Sequence, residues 1–108
     1  MNEILVLTTT DTPALAKKIA GALVEAGQAA CVNILPGIRS IYRWDGRLQD
    51  EAECLLLVKT SSDRFEPVRS VIRALHTYQI PEVIAIPLTA GDPDYLSWIR
   101  SSLSQDGS

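Results

Sequence analysis

A single histidine, His76, and two cysteines, Cys31 and Cys54, are the whole supply of imidazole and thiol among the 108 residues. No Cys-x-x-Cys pair, His-Glu-x-x-His helix or glycine-rich phosphate loop occurs, which excludes the usual sequence signatures of a structural zinc site, a metalloprotease centre and a nucleotide cradle. No apolar run approaches the roughly 18 residues of a membrane span. Basic residues are outnumbered by acidic ones, 10 Lys and Arg against 13 Asp and Glu: the formal net charge is −3 and the pI about 5.0, giving no overall attraction for nucleic acid or anionic lipid. No basic region precedes the first apolar run at Ile4, so a cleaved leader is not expected and a cytoplasmic location is.

The length suits one domain, expected over 1–103 with a frayed tail at 104–108. The dominant stretch is Cys31 to Trp44, β-rich and broken once by Pro36-Gly37. It ends against Asp45-Gly46, a strong hairpin signal, and a second apolar run follows from Cys54 to Val58. A long β-hairpin is therefore predicted at the centre. A two-residue turn sets Cys54 opposite Gly37, six residues from Cys31 and so about 20 Å away, far beyond disulfide reach. Both thiols are expected to be free.

Around this hairpin the chain reads in simple units. Ile4–Thr9 is a strand, and Asp11-Thr12-Pro13 caps a helix whose buried stripe is Leu15, Ile19, Ala22, Leu23 and Ala26, stopped at Gly27. Strands follow at Ala29–Trp44, bent at Pro36-Gly37, and at Arg47–Thr60. The polar start of the latter, Gln49 to Glu53, implies a hairpin tip projecting into water. A second helix opens near Ser61-Ser62-Asp63, becomes regular by Pro67, and buries Phe65, Val68, Val71, Ile72 and Leu75. His76 closes it, 78–82 is an extended link, and Val83–Ile86 is an edge strand ended by Pro87. Asp92-Pro93 starts a third helix with Leu96, Ile99 and Leu103 on one side.

The order β-α-β-β-α-β plus a helix defines an α+β, ferredoxin-like sandwich with two helices on one face of a four-stranded antiparallel sheet. The runs Ile4–Leu7, Cys54–Val58 and Val83–Ile86 are apolar on both strand faces, whereas a sheet with one wet face alternates. The second face must be covered, and another copy of the chain is the simplest cover. Folding back of the third helix and the hairpin over the sheet is the competing explanation.

Few residues carry chemistry. Cys31 is either a soft ligand or a small buried hydrophobe. His76 either offsets a helix C-terminus or faces a cleft with Tyr78 and Glu82. A Cys plus His pair suits copper or zinc, and as a nucleophile–base pair it would need the two side chains within about 3 Å. Tyr42, Trp44, Tyr95 and Trp98 are candidate packing or interface anchors or, alternatively, a ligand platform. Arg39, Arg43 and Arg47 are solvated surface groups or, alternatively, an anion site.

Several of these segments together carry a resemblance: Cys31 to Gly37, Ser40-Ile-Tyr42, Trp44-Asp-Gly46, Leu57 to Thr60, His76-Thr-Tyr78-Gln-Ile-Pro81-Glu82 and Tyr95-Leu-Ser-Trp98. In order and spacing the chain resembles the CutA family of divalent-cation tolerance proteins. The resemblance implies a ferredoxin-like homotrimer, no enzymatic activity, and a role in the response to divalent metals, copper above all and zinc less so. Metal would be held by His76 and Cys31, with Glu82 a further candidate. Tyr42, Arg43, Trp44, Tyr78 and Trp98 are the ligand-cleft or interface candidates. Thr77 replaces the family's usual proline, and Thr10 stands where some members have a cysteine. A second reading, resembling the PII proteins in architecture, is a trimeric signalling module that binds a small anionic ligand between subunits. Neither reading involves nucleic acid or membrane.

Overall fold

A computed structural model of the chain describes residues 2–104. Strand β1 (Glu3–Thr10) leads into helix α1 (Pro13–Glu25), followed by the hairpin of β2 (Cys31–Trp44) and β3 (Arg47–Ser61). A single 3-10 turn (Ser62–Arg64) introduces α2 (Phe65–Leu75), and β4 (Ile84–Pro87) and α3 (Pro93–Ser101) complete the chain. The sheet is antiparallel in the order β2-β3-β1-β4. The regular helix α2 starts at Phe65, two residues before Pro67, because the 3-10 turn already supplies the first helical geometry and the proline then falls where a missing N–H costs nothing.

Helices α1 and α2 pack on one face of the sheet. Ile19, Leu23, Val68 and Ile72 meet Ile4, Val6, Leu56 and Val58, all buried. Thr12 caps α1 by accepting a hydrogen bond from the Leu15 N–H at 3.1 Å. The stripe of α1 runs through Ala16, Ile19 and Leu23; the expected Ala26 is exposed, because it sits at the C-cap where the chain already turns away.

The hairpin turn has positive φ at both central residues, 54° at Asp45 and 76° at Gly46, the twist that matches two right-handed strands. Farther along, Leu35 pairs with Leu55 but Ile38 pairs with Glu53, so Pro36 and Gly37 together oppose Cys54. Gly37 supplies the φ of +75° that this bulge needs. The bulge has a consequence for function. Cys31, Asn33 and Leu35 point to the face away from α1 and α2, but past the bulge it is Ser40, Tyr42 and Trp44 that do so.

That second face carries Leu5, Leu7, Leu55 and Leu57, with Ile84 and Ile86 beside them at 51% and 46% exposure. Helix α3 lies across one end of it. Arg100 Nη1 donates to the buried Glu3 carboxylate at 2.9 Å, and the Lys59 ammonium donates to the Tyr95 hydroxyl at 3.4 Å. Ile99 and Leu103 are buried beneath it. The chain then wraps round the sheet end, where the Ser104 N–H donates to Gly27 O at 2.9 Å and Arg64 donates to the Ser104 hydroxyl at 3.0 Å. Ser104 was expected in a frayed tail and is instead anchored, since an arginine 11% exposed along its side chain holds it. The other residues of that expected tail, 105–108, lie outside the described residues.

Cys31 is half-buried and Cys54 buried, and both are free. Cys54 faces Thr10 across β1, while Cys31 faces Lys59 five residues farther along β3. Among the described residues, no helix is long and apolar enough to cross a membrane.

Candidate functional site

At the end of the sheet opposite α3, the hairpin and the segment 78–82 enclose a cleft of about 590 Å³. Thr9 and Glu53 form its floor; Ser40, Tyr42 and Trp44 line the hairpin side; Tyr78, Ile80 and Glu82 line the other. Strand alternation explains the floor. Glu53 lies on the same strand face as Leu55, directly beside Thr9's partner position, so the carboxylate turns inward rather than toward the solvent at the tip. The polar stretch Gln49–Glu53 was expected to be wet throughout; Glu53 is only 7% exposed.

A carboxylate so deeply placed needs a donor. Tyr78 provides it, its hydroxyl donating to Glu53 Oε2 at 2.5 Å. The other oxygen, Oε1, has no hydrogen-bond partner among the described residues. Burial first, and the bond to Glu53 second, hold the Tyr78 phenol well above its ordinary range. Glu82 is exposed at the rim, yet desolvation and then the charge of Glu53 raise its carboxyl above the ordinary glutamate value. The Tyr42 phenol is raised likewise, by desolvation and by Glu51 and Glu53. Two carboxylates thus share a cleft in which, among the described residues, no lysine or arginine takes part. Such a site attracts cations and repels anions.

His76 lies behind this cleft. Its Nδ1 accepts the Tyr78 N–H at 3.0 Å, which places the ring proton on Nε2, 2.7 Å from the Thr9 carbonyl that accepts it. Both nitrogens are engaged, and the ring leans on that of Tyr78 with centroids 4.6 Å apart. His76 therefore fixes Thr9 and Tyr78 relative to each other.

The sequence candidates divide accordingly. Tyr42, Trp44, Tyr78 and Glu82 come together in the cleft, with His76 behind them. Cys31 does not: Lys59, its partner, is four residues along β3 from the Leu55 that faces Thr9, a separation of about 13 Å. That spacing removes a Cys31–His76 nucleophile–base pair and a metal site bridging the two within one chain. Trp98 is on α3, stacked with Tyr95 at 5.6 Å, away from the cleft. Arg43 points to the opposite hairpin face from Tyr42 and Trp44, and Arg39 is paired with Asp50 at 2.8 Å. Glu53, Thr9 and Ser40 were not expected at the site. The signal for Glu53 was its parity with Leu55 and Leu57 along β3.

The fit to a metal ion can be tested on these groups. Among the described residues, no three of His, Cys, Asp and Glu cluster closely enough to hold an ion. One chain offers the Glu53 and Glu82 carboxylates, and His76 joins them only by giving up one of its two hydrogen bonds.

Fold and site together define a small α+β protein with a β-α-β-β-α-β core and a cation-attracting cleft at one sheet end. Residues 4–102 match the model of the CutA1 divalent ion tolerance protein family. The Thermus thermophilus divalent-cation tolerance protein CutA is 46% identical over 100 residues, covering 93% of this chain and 97% of that protein. The chloroplastic protein CutA of Arabidopsis thaliana is 43% identical over 99 residues, 92% of this chain and 54% of that protein, so the chain spans about half of the plant relative. The crystal structure of CutA1 from Oryza sativa superposes with a TM-score of 0.94 at 38% identity, over 97% of this chain and 96% of that one. The Thermus thermophilus structure gives 0.91 at 45% identity, over 94% and 99%. The chain belongs to the CutA family of divalent-cation tolerance proteins.

Proposed function

We propose that this CutA protein acts as a cytoplasmic homotrimer that binds divalent metal ions, without catalysing a reaction. The observation that carries the metal reading is the buried Glu53 carboxylate, one oxygen of which has no hydrogen-bond partner among the described residues, facing the same cleft as Glu82. The family's description as divalent ion tolerance proteins supports it. Carboxylates alone suit harder ions, whereas copper or zinc prefers imidazole. Copper at this cleft therefore calls on His76 to exchange its bond to Thr9 or to Tyr78 for the metal, which keeps affinity modest.

The trimer reading rests on the second sheet face. Helix α3 covers the end near Glu3 and Lys59, and leaves Ile84, Ile86 and Leu35 at least 40% exposed on the same face. Each large apolar side chain left in water forfeits about 1.5 to 3 kcal/mol relative to burial, a large share of a small domain's net stability. Copies of the chain supply the cover. The anion-binding alternative loses ground because Arg39 is paired outside the cleft and the cleft itself is acidic.

Isothermal titration of chelator-stripped, reduced protein with Cu²⁺ and Zn²⁺ tests the metal reading. Saturable binding that is weakened in both His76→Ala and Glu82→Gln is the expected result. Binding indifferent to both substitutions, or none, rejects it.

A further inference from the structure

The cleft is much larger than a metal ion requires, and its walls are of the wrong kind for a metal alone. Its volume of about 590 Å³ falls in the range of small-molecule pockets, roughly 300 to 1,000 Å³. Tyr42 and Trp44, two residues apart on one strand face, present half-exposed rings to it, and Tyr78 closes the opposite side. Neither Tyr42 nor Trp44 meets another ring among the described residues, whereas His76 leans on Tyr78 and Tyr95 stacks with Trp98. At the floor, Glu53 is more than nine-tenths buried and its Oε1 has no hydrogen-bond partner among the described residues, so it can accept a hydrogen bond or compensate a charge.

Aromatic faces around a buried carboxylate are complementary to one chemistry, a cationic nitrogen carrying apolar substituents. We propose that the cleft binds a small organic ammonium ion, its charged nitrogen over Glu53 and Glu82 and its carbon substituents against Tyr42, Trp44 and Tyr78. This rests on the cation-attracting cleft described above but not on metal coordination. The carboxylates serve both kinds of cation; the rings serve the organic one. Ile80 and Thr9 complete the apolar and neutral parts of the wall.

The test is an NMR titration of the full chain, labelled with nitrogen-15, using tetramethylammonium chloride as the probe. Potassium chloride and tert-butanol, which shares the branched shape without the charge, are the controls. Saturable shifts are expected at the Trp44 indole, Tyr78 and Glu82 with tetramethylammonium and with neither control. Trp44→Leu and Tyr42→Leu are each expected to weaken that binding about fivefold while leaving Zn²⁺ binding unchanged. Glu53→Gln is expected to weaken both. The same spectra report whether each variant is folded, and either ring variant suffices if the other is not. No saturable shift with tetramethylammonium, equal shifts with tert-butanol, or full affinity in both ring variants overturns the proposal. Zn²⁺ binding that persists in that event leaves the metal reading standing, and its loss as well removes both.

Discussion

Removing the Tyr78 hydroxyl isolates the floor of the cleft from the rest of the fold. In Tyr78→Phe the ring stays in place beside His76, but Glu53, 7% exposed, loses the donor that contacts it at 2.5 Å. A hydrogen bond to a charged group contributes about 1.5 to 3 kcal/mol, and a buried acceptor left unmade costs a similar amount. About 2 kcal/mol of destabilisation is expected. For a domain of this size each kcal/mol lowers the melting temperature by about 4 to 8 °C, so the shift is on the order of 10 °C. Urea unfolding at fixed protein concentration measures it, since self-association would make the midpoint concentration-dependent. The companion is Tyr78→Phe in a Glu53→Gln background. There the lost bond is neutral and contributes about 1 kcal/mol, so the two substitutions couple by about 1 kcal/mol. A Tyr78→Phe variant within about 0.5 kcal/mol of the parent, or additive behaviour in the cycle, refutes the claim that Tyr78 compensates a buried charge.

Three further outcomes are expected. Thr8 is fully buried and its Oγ1 has no hydrogen-bond partner among the described residues, so Thr8→Val raises stability by about 1 kcal/mol in a thermal melt. Arg100→Met leaves the buried Glu3 carboxylate without its partner; because the arginine is half-exposed the loss is about 1 to 3 kcal/mol, read by urea unfolding alongside Trp98 fluorescence as α3 loosens. Desolvation first, and the charge of Glu53 second, raise the folded-state pKa of Glu82, so between the ordinary and the raised value the native state binds more proton than the unfolded state. Its contribution to stability is present below the ordinary glutamate range and is lost as pH rises through the raised value. Glu82→Gln abolishes that decline, so the variant gains on the parent between mildly acidic and neutral pH, as melts across that range will show.

Most of the fold was legible because its signals are local. Asp45-Gly46 permits the positive φ values that a two-residue turn needs, Pro36-Gly37 marks the bulge, and Pro13 and Pro93 mark helix starts. The site was legible only in part, because it depends on register and on tertiary contacts. Gln49 to Glu53 reads as a solvated run, and only the alternation fixed by Leu55 opposite Thr9 turns Glu53 inward. The bulge complicates this further, since it moves Tyr42 and Trp44 onto the face that Cys31 occupies on the other side of it. Cys31 and His76 attract attention as ligand types, but spacing along the chain carries no information about the four strand positions that separate their surroundings. The placing of α3 was legible only as one of two covers for the second sheet face; the Arg100–Glu3 pair that fixes it joins residues from opposite ends of the chain.

Native mass spectrometry of the reduced protein, with and without Cu²⁺, tests the central claim most directly because it reads assembly and metal content in one spectrum. The account predicts a three-chain species that takes up copper saturably, near one ion per chain or per trimer, and takes up less when Glu82 is replaced by glutamine. A monomer, or a trimer whose copper uptake is non-saturable and the same in that variant, contradicts it.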